Sequence, residues 1–115
     1  MVNKTVPKEE TQKNIAKLQM MEQRLQNYMM QKQSYQGQLL EVENALTEIK
    51  DAEDVYKISG QIMIKTKKEK IKAELDEKRE LLNKRILNLE KQEESLREEI
   101  MPLQEEVMKS FKNER

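Results

Sequence analysis

Apolar residues recur every seven residues along the first long segment of the chain, from Lys8 to Ile49. All but one of the residues at two heptad positions are apolar or aromatic, and this spacing predicts an amphipathic helix with a coiled-coil seam. The exception, Lys32, is a charged seam residue of the kind that fixes register or partner at some loss of stability. The predicted seam residues are Leu18, Met21, Leu25, Tyr28, Lys32, Tyr35, Leu39, Val42, Leu46 and Ile49.

A second heptad pattern runs from residue 66 to residue 112 and predicts a second helix. Thr66 and Glu69 have the T-x-x-E spacing of a capping box, which predicts that this helix begins at Thr66. Pro102 should kink the helix or end it at Met101. We expect the helix to resume, because Phe111 continues the apolar spacing. The predicted seam residues are Leu75, Arg79, Leu82, Ile86, Leu89, Glu93, Leu96, Ile100, Leu103 and Val107.

The segment between the two heptad patterns predicts a β-hairpin over residues 55 to 65. Ser59 and Gly60 separate two runs of β-formers, and Gly60 can supply the positive φ of a tight turn. A loop at Ser59 and Gly60 would pair Tyr56 with Met63, and the turn type stays open. This pairing places Tyr56, Ile58 and Met63 on one face of the hairpin and Val55, Ile62 and Ile64 on the other.

These elements predict a mainly α fold, an antiparallel two-helix coiled coil with one β-hairpin between the helices. The whole chain, 1–115, is expected to form one unit, with a helix over 8–49, the hairpin over 55–65, a helix over 66–112, and frayed residues at 1–7 and 113–115. Low hydrophobicity could instead indicate disorder. The regular apolar spacing and the equal numbers of basic and acidic residues, 22 each, favour an ordered chain.

An isolated two-stranded hairpin is marginally stable in water, and this one has apolar side chains on both faces and two open edges. Its own coiled coil can cover one face at most. The sequence therefore predicts obligate assembly through strands of further subunits. The residues expected to mediate assembly are Val55, Tyr56, Ile58, Gly60, Ile62, Met63 and Ile64.

The composition argues against an enzyme and against a cofactor or metal site. The chain has no His and no Cys, and its two Gly residues cannot form a phosphate-binding loop. No apolar run is long enough for a membrane span or a signal peptide, so we expect a soluble, intracellular protein. Lysines 65 to 72 are expected to be neutralised by acidic residues 48 to 54. Nucleic-acid binding is the less favoured alternative, because the net charge is zero.

The segment DAEDVYKISGQIMIKTKKEKIKAEL, followed by a regular leucine ladder, resembles the β-class subunit of prefoldin, especially its archaeal versions. The resemblance extends from Glu9 to Lys112 and is strongest from Asp54 to Lys70. Subunits of the α-class have two hairpins and a longer chain, whereas this chain has room for one hairpin. The β-class is therefore the better match.

The resemblance implies a subunit of an ATP-independent chaperone that holds unfolded proteins. In prefoldin, two α-class and four β-class subunits form a hexamer, whose hairpins build a double β-barrel from which coiled coils extend. Unfolded clients are bound at the tips of the coiled coils and passed to a group II chaperonin in the cytosol. The alternative is a structural coiled-coil adaptor or tether, which would need only a turn in place of the hairpin.

Antiparallel helices place both chain ends at one tip, where client binding is expected. Thr11, Asn14 and Ser110 should loosen the seam there and free nearby apolar side chains, among them flexible methionines that fit many partner surfaces. The alternative is that these methionines only pack in the seam or lie on the surface. The predicted client-binding residues are Ile15, Leu18, Met20, Met21, Leu103, Val107, Met108 and Phe111, and Met101 lies near them.

Overall fold

The computed structural model describes residues 8 to 113, which form two long helices joined by one β-hairpin. The elements are α1 (Lys8–Ile49), β1 (Val55–Ser59), β2 (Ile62–Thr66) and α2 (Lys68–Asn113). The predicted mainly α fold is thus confirmed. The fraying expected for residues 1–7, 114 and 115 lies outside the described residues, whereas Asn113 ends α2.

The described residues divide into two compact units, each built from parts of both helices. The terminal unit contains residues 8–31 and 89–113, and the hairpin unit contains residues 32–88. In both units, residues at the heptad positions of α1 and α2 pack together as a small apolar core. The seam predicted from the sequence therefore forms within each unit.

The core of the hairpin unit consists of Val42, Leu46 and Leu82, and Leu82 is only 2 % exposed. Half-buried seam residues surround this core, and the guanidinium of Arg85 lies 5.5 Å from the ring centroid of Tyr35. The predicted seam residue Arg79 is exposed and forms an ion pair with Asp76 instead. The half-buried residues packed against the core are Tyr35, Leu39, Ile49 and Leu75.

The ends of α1 and α2 meet at Lys68, the first residue of α2. The Lys68 ammonium donates hydrogen bonds to the backbone carbonyls of Lys50 and Ala52, just after the end of α1. These carbonyls lie just beyond Ile49, the last residue of α1, and a cation near the C-terminus of a helix interacts favourably with the negative end of its dipole. Lys68 therefore stabilises the turn that follows α1.

The predicted start of α2 at Thr66 is wrong, because Thr66 is the last residue of β2 and pairs with Val55. The backbone of Thr66 thus belongs to the strand ladder. The first backbone hydrogen bond of α2 runs from the Ile71 amide to the Lys67 carbonyl. Lys67 therefore occupies the N-cap position. The capping box that the sequence suggested does not begin this helix.

The terminal unit has a core of Met21, Leu96 and Ile100, against which other predicted seam residues pack. Helix α2 passes through Pro102 and continues to Asn113, so the alternative of a helix ending at Met101 is wrong. Because Pro102 has no amide hydrogen, the Glu98 carbonyl lacks its usual partner four residues later. The half-buried residues against this core are Leu18, Leu25, Tyr28 and Leu103.

Two apolar surfaces as candidate binding sites

The hairpin has a different register from the one predicted. Its pairs are Val55 with Thr66, Tyr56 with Lys65, Lys57 with Ile64, Ile58 with Met63, and Ser59 with Ile62. The loop therefore consists of Gly60 and Gln61, and the predicted loop at Ser59 and Gly60 is wrong. Each residue of β1 pairs two positions further along β2 than expected.

Gly60 explains this register. It has a φ of 62°, and no other described residue has a positive φ. A two-residue hairpin loop with positive φ only at its first residue fits a type II′ turn, which favours glycine there. Serine is poor in that conformation. The turn therefore begins at Gly60, and Ser59 remains in β1.

The predicted faces are nevertheless confirmed, because a shift of two residues leaves every side chain on the same side of a strand. Ile58 and Met63 are cross-strand neighbours on the first face, and both are well exposed. On the second face, Ile62 and Ile64 are also exposed, and only Val55, at 8 % exposure, is buried. The exposed apolar residues of the hairpin are Tyr56, Ile58, Ile62, Met63 and Ile64.

Two exposed ion pairs involve lysines of the hairpin. Lys57 Nζ lies 3.4 Å from Glu74 Oε2 on α2, and Lys65 Nζ lies 3.2 Å from Asp54 Oδ1. The second pair confirms the expected neutralisation for Lys65. Two lysines of this group differ from the expectation: Lys68 binds backbone carbonyls, and Lys72 pairs with Asp76 within its own helix.

The residues predicted to bind clients fall into three groups in the terminal unit. Met21 and Val107 are buried at 8 % and 6 % exposure, so they belong to the packed seam. Ile15, Leu18 and Leu103 are half-buried at its margins. The exposed residues are Met20, Met108 and Phe111, together with the neighbouring Met101.

The seam of the terminal unit ends in small polar residues. Thr11 and Ser110 are buried at 4 % and 1 % exposure. The Ser110 hydroxyl donates to the Glu106 carbonyl at 3.1 Å, but the buried Thr11 Oγ1 has no hydrogen-bond partner. A buried hydroxyl without a partner costs about 1–3 kcal/mol, so this end of the seam is weaker than the leucine-rich core.

Exposed apolar groups line a shallow groove on the outer face of α2. Met101 and Met108 are seven residues apart and therefore lie on the same side of the helix. Together they form an apolar strip, and charged side chains lie beside it. The lining residues are Met101, Gln104, Glu105, Met108, Lys109 and Lys112. An apolar strip with a charged rim is typical of a surface that contacts another protein.

The chain matches the family of prefoldin subunits over residues 12–114. It belongs to the prefoldin family. Among solved structures, it is similar to the prefoldin beta subunit from Thermococcus strain KS-1, with 35 % identity, a TM-score of 0.83, and coverage of 95 % of this chain and 96 % of that chain. The comparison with curated proteins found no match.

A second solved structure supports the fold of this prefoldin subunit. The prefoldin beta2 subunit from Thermococcus strain KS-1 has 20 % identity and a TM-score of 0.68, and the match covers 76 % of this chain and 97 % of that chain. The single hairpin and the similarity to the beta subunit identify a β-class prefoldin, a chaperone subunit of a hetero-oligomer.

Two other kinds of site, a membrane span and a metal centre, are absent from residues 8–113 of this prefoldin. No helix in this range is long and apolar enough to cross a membrane. Within the same residues, no group of His, Cys, Asp and Glu side chains could hold a metal ion. The exposed apolar side chains on the hairpin and on the terminal unit make these two surfaces the candidate functional sites.

Several further apolar residues on the helices of this prefoldin are exposed, and the heptad pattern did not indicate them. They lie outside the two seam positions, and no regular spacing marks them. Their exposure makes them useful controls for the candidate sites. These residues are Met30, Leu40, Leu81 and Leu87.

Proposed function

We propose that this prefoldin subunit is part of an ATP-independent holdase. Through its hairpin it assembles with α-class subunits and further β-class copies into a hexamer. Through the terminal unit it binds unfolded proteins, which it transfers to a group II chaperonin in the cytoplasm. The observation that carries the proposal is the exposure of four large apolar side chains beside a completed helix seam, Met20, Met101, Met108 and Phe111.

These four side chains are not needed to pair the helices. Met21, Ile100 and Val107 already fill the seam beside them. Apolar side chains left in water favour burial against a partner by about 25 cal/mol for each Å² removed from water. Three of the four are methionines, whose flexible thioethers adapt to partners of different shape. This chemistry suits clients that share exposed apolar segments and no fixed structure.

The buried residues of the predicted client-binding set pair the helices, and the half-buried ones contribute only in part to client contact. Client contact at Met21 or Val107 would require the helices to separate, so we assign these two residues to pairing. Ile15, Leu18 and Leu103 are half-buried in the same unit and can contribute their accessible edges. The small polar seam residues Thr11 and Ser110 make separation easier there than in the leucine-rich core.

The hairpin supports assembly by the same reasoning. In the part of the chain that the structure describes, the sheet has two strands, so each strand has one edge without a neighbour. Both faces carry exposed apolar side chains that the helices leave uncovered. Strands from other subunits would satisfy the open edges and cover both faces.

Client binding is tested by replacing the four exposed residues of the terminal unit with serine, as Met20→Ser, Met101→Ser, Met108→Ser and Phe111→Ser. The subunit is coexpressed with an α-class partner, and light scattering follows aggregation of a chemically unfolded client. We expect the variant complex to lose most of its suppression of aggregation. Native mass spectrometry should still show the wild-type stoichiometry, because the hairpin is unchanged.

A matched control removes four exposed apolar residues elsewhere, as Met30→Ser, Leu40→Ser, Leu81→Ser and Leu87→Ser. These side chains are 47–63 % exposed, close to the 49–65 % of the test set. The control complex should suppress aggregation as the wild type does. Equal activity of the test variant and the wild type would refute client binding at the terminal unit.

The second candidate function is a structural adaptor that binds no client. It predicts that the wild-type complex leaves client aggregation unchanged. The exposed strand pair of the hairpin argues against it, because a tether needs only a turn between its helices. Transfer is tested separately by following a fluorescent client from the complex to a purified group II chaperonin. A client that stays with the complex would refute that step alone.

A further inference from the structure

Methionine is the principal oxidisable residue of this chain. The sequence contains eight Met and neither Cys nor Trp. Peroxides convert the methionine thioether to a sulfoxide, which is polar and chiral and no longer suits an apolar contact. In the absence of thiols, mild peroxide will react with the protein mainly at methionine sulfur.

Exposure separates these methionines sharply. Met20, Met101 and Met108 are 65 %, 62 % and 59 % exposed, whereas Met21, the next residue after Met20, is 8 % exposed and packed in the core. A peroxide must reach the sulfur to react. The surface of the terminal unit is thus rich in reactive thioethers, and its core is protected.

We propose that Met20, Met101 and Met108 form a peroxide-sensitive switch that releases clients. In each reaction the sulfur lone pair attacks one peroxide oxygen and the O–O bond breaks. With hydrogen peroxide, that oxygen becomes the sulfoxide oxygen and the other leaves as water. The sulfur is oxidised by two electrons and the peroxide is reduced. Methionine sulfoxide reductases, which use a dithiol reductant, reverse the change.

The proposed switch rests on the proposed client binding of the terminal unit. Oxidation would replace three of its four large exposed apolar side chains by polar ones and leave only Phe111 unchanged. Met21 is buried in the seam against Leu96 and Ile100, so it would stay unoxidised and the seam would keep its apolar core. Oxidation therefore changes what the surface can bind while the helices remain paired.

The other methionines supply internal comparisons. Met30 is 63 % exposed and lies outside the proposed client surface, so it should oxidise readily without effect on client binding. Met29 is less exposed, at 44 %, and its sulfur accepts a weak hydrogen bond from Arg97 at 3.9 Å, so it should react more slowly than Met30. Met63, 64 % exposed on the hairpin, should react in the isolated subunit and be protected in the hexamer.

Peptide mass spectrometry during treatment of the assembled complex with hydrogen peroxide tests the order of oxidation. We expect Met20, Met30, Met101 and Met108 to oxidise first and Met21 last. Oxidation of Met21 at the rate of Met20 would overturn the argument from exposure. This measurement requires no client, so it stands even if the proposed client binding fails.

Aggregation assays before and after peroxide test the functional consequence, with each protein compared to its own untreated level. The wild-type complex should lose suppression of aggregation and regain it after treatment with both classes of sulfoxide reductase. The variant with Met20→Leu, Met101→Leu and Met108→Leu should change little on treatment, whereas Met30→Leu should respond as the wild type does. Full suppression by a wild-type complex that carries all three sulfoxides would overturn the switch.

Discussion

Replacing Ile58 and Met63 together by serine tests whether the hairpin drives assembly. The two side chains are cross-strand neighbours on one face, and they are 70 % and 64 % exposed. Fully burying such a side chain stabilises by about 1.5–3 kcal/mol, so covering these exposed fractions contributes about 1–2 kcal/mol each. The double variant should therefore weaken each affected interface by about 2–4 kcal/mol, or roughly 30- to 700-fold in affinity.

Native mass spectrometry of the subunit mixed with an α-class partner, over a dilution series, measures this change. Because both side chains are exposed in the isolated subunit, thermal unfolding of that subunit should remain close to wild type. A control with Leu81→Ser and Leu87→Ser removes exposed apolar groups from α2 and should leave the hexamer intact. A double variant that assembles at wild-type concentrations would show that this face of the hairpin does not drive association.

Three further predictions concern the stability of the subunit, measured by urea or thermal unfolding. Leu82→Ala should destabilise by about 2–5 kcal/mol, because it opens a cavity in the core of the hairpin unit; an effect below that of an exposed Leu81→Ala control would contradict this. Gly37→Ala should stabilise α1 by about 1 kcal/mol, whereas Gly60→Ala should destabilise the turn, because both sites have space for a methyl group but only Gly60 has a positive φ. Changes of the same sign in the free energy of unfolding would refute this reasoning. Thr11→Val should stabilise by about 1–3 kcal/mol by removing a buried hydroxyl without a partner, and Thr11→Ser should not.

Helical periodicity allowed both helices and nearly all seam residues to be predicted. Heptad spacing reports which side of a helix meets its neighbour, and Leu82, Leu89 and Leu96 are all buried accordingly. The sequence pattern failed at Arg79, whose charged group stays in water because its burial would cost desolvation, and there it pairs with Asp76. It also failed at Thr66, because a capping motif does not reveal that the preceding strand extends across it.

The hairpin shows a different limit of prediction. Strand faces follow from alternation and were correct, whereas register depends on one backbone torsion at Gly60 that sequence spacing alone left open. For the candidate client surface, the sequence indicated the right region, but the predicted client-binding set also included seam residues. The heptad pattern places Met21 in the seam and Met20 outside it, and the structure agrees, with Met21 buried and Met20 exposed. How far the residues outside the seam are exposed requires the packed structure.

The exposed hairpin also has consequences for the supply of this subunit in a cell. A subunit made in excess of its partners presents two unpaired strand edges and five large exposed apolar side chains, the features that promote edge-to-edge aggregation. Balanced synthesis of the partner subunits would therefore protect solubility, and an orphan subunit would itself require quality control.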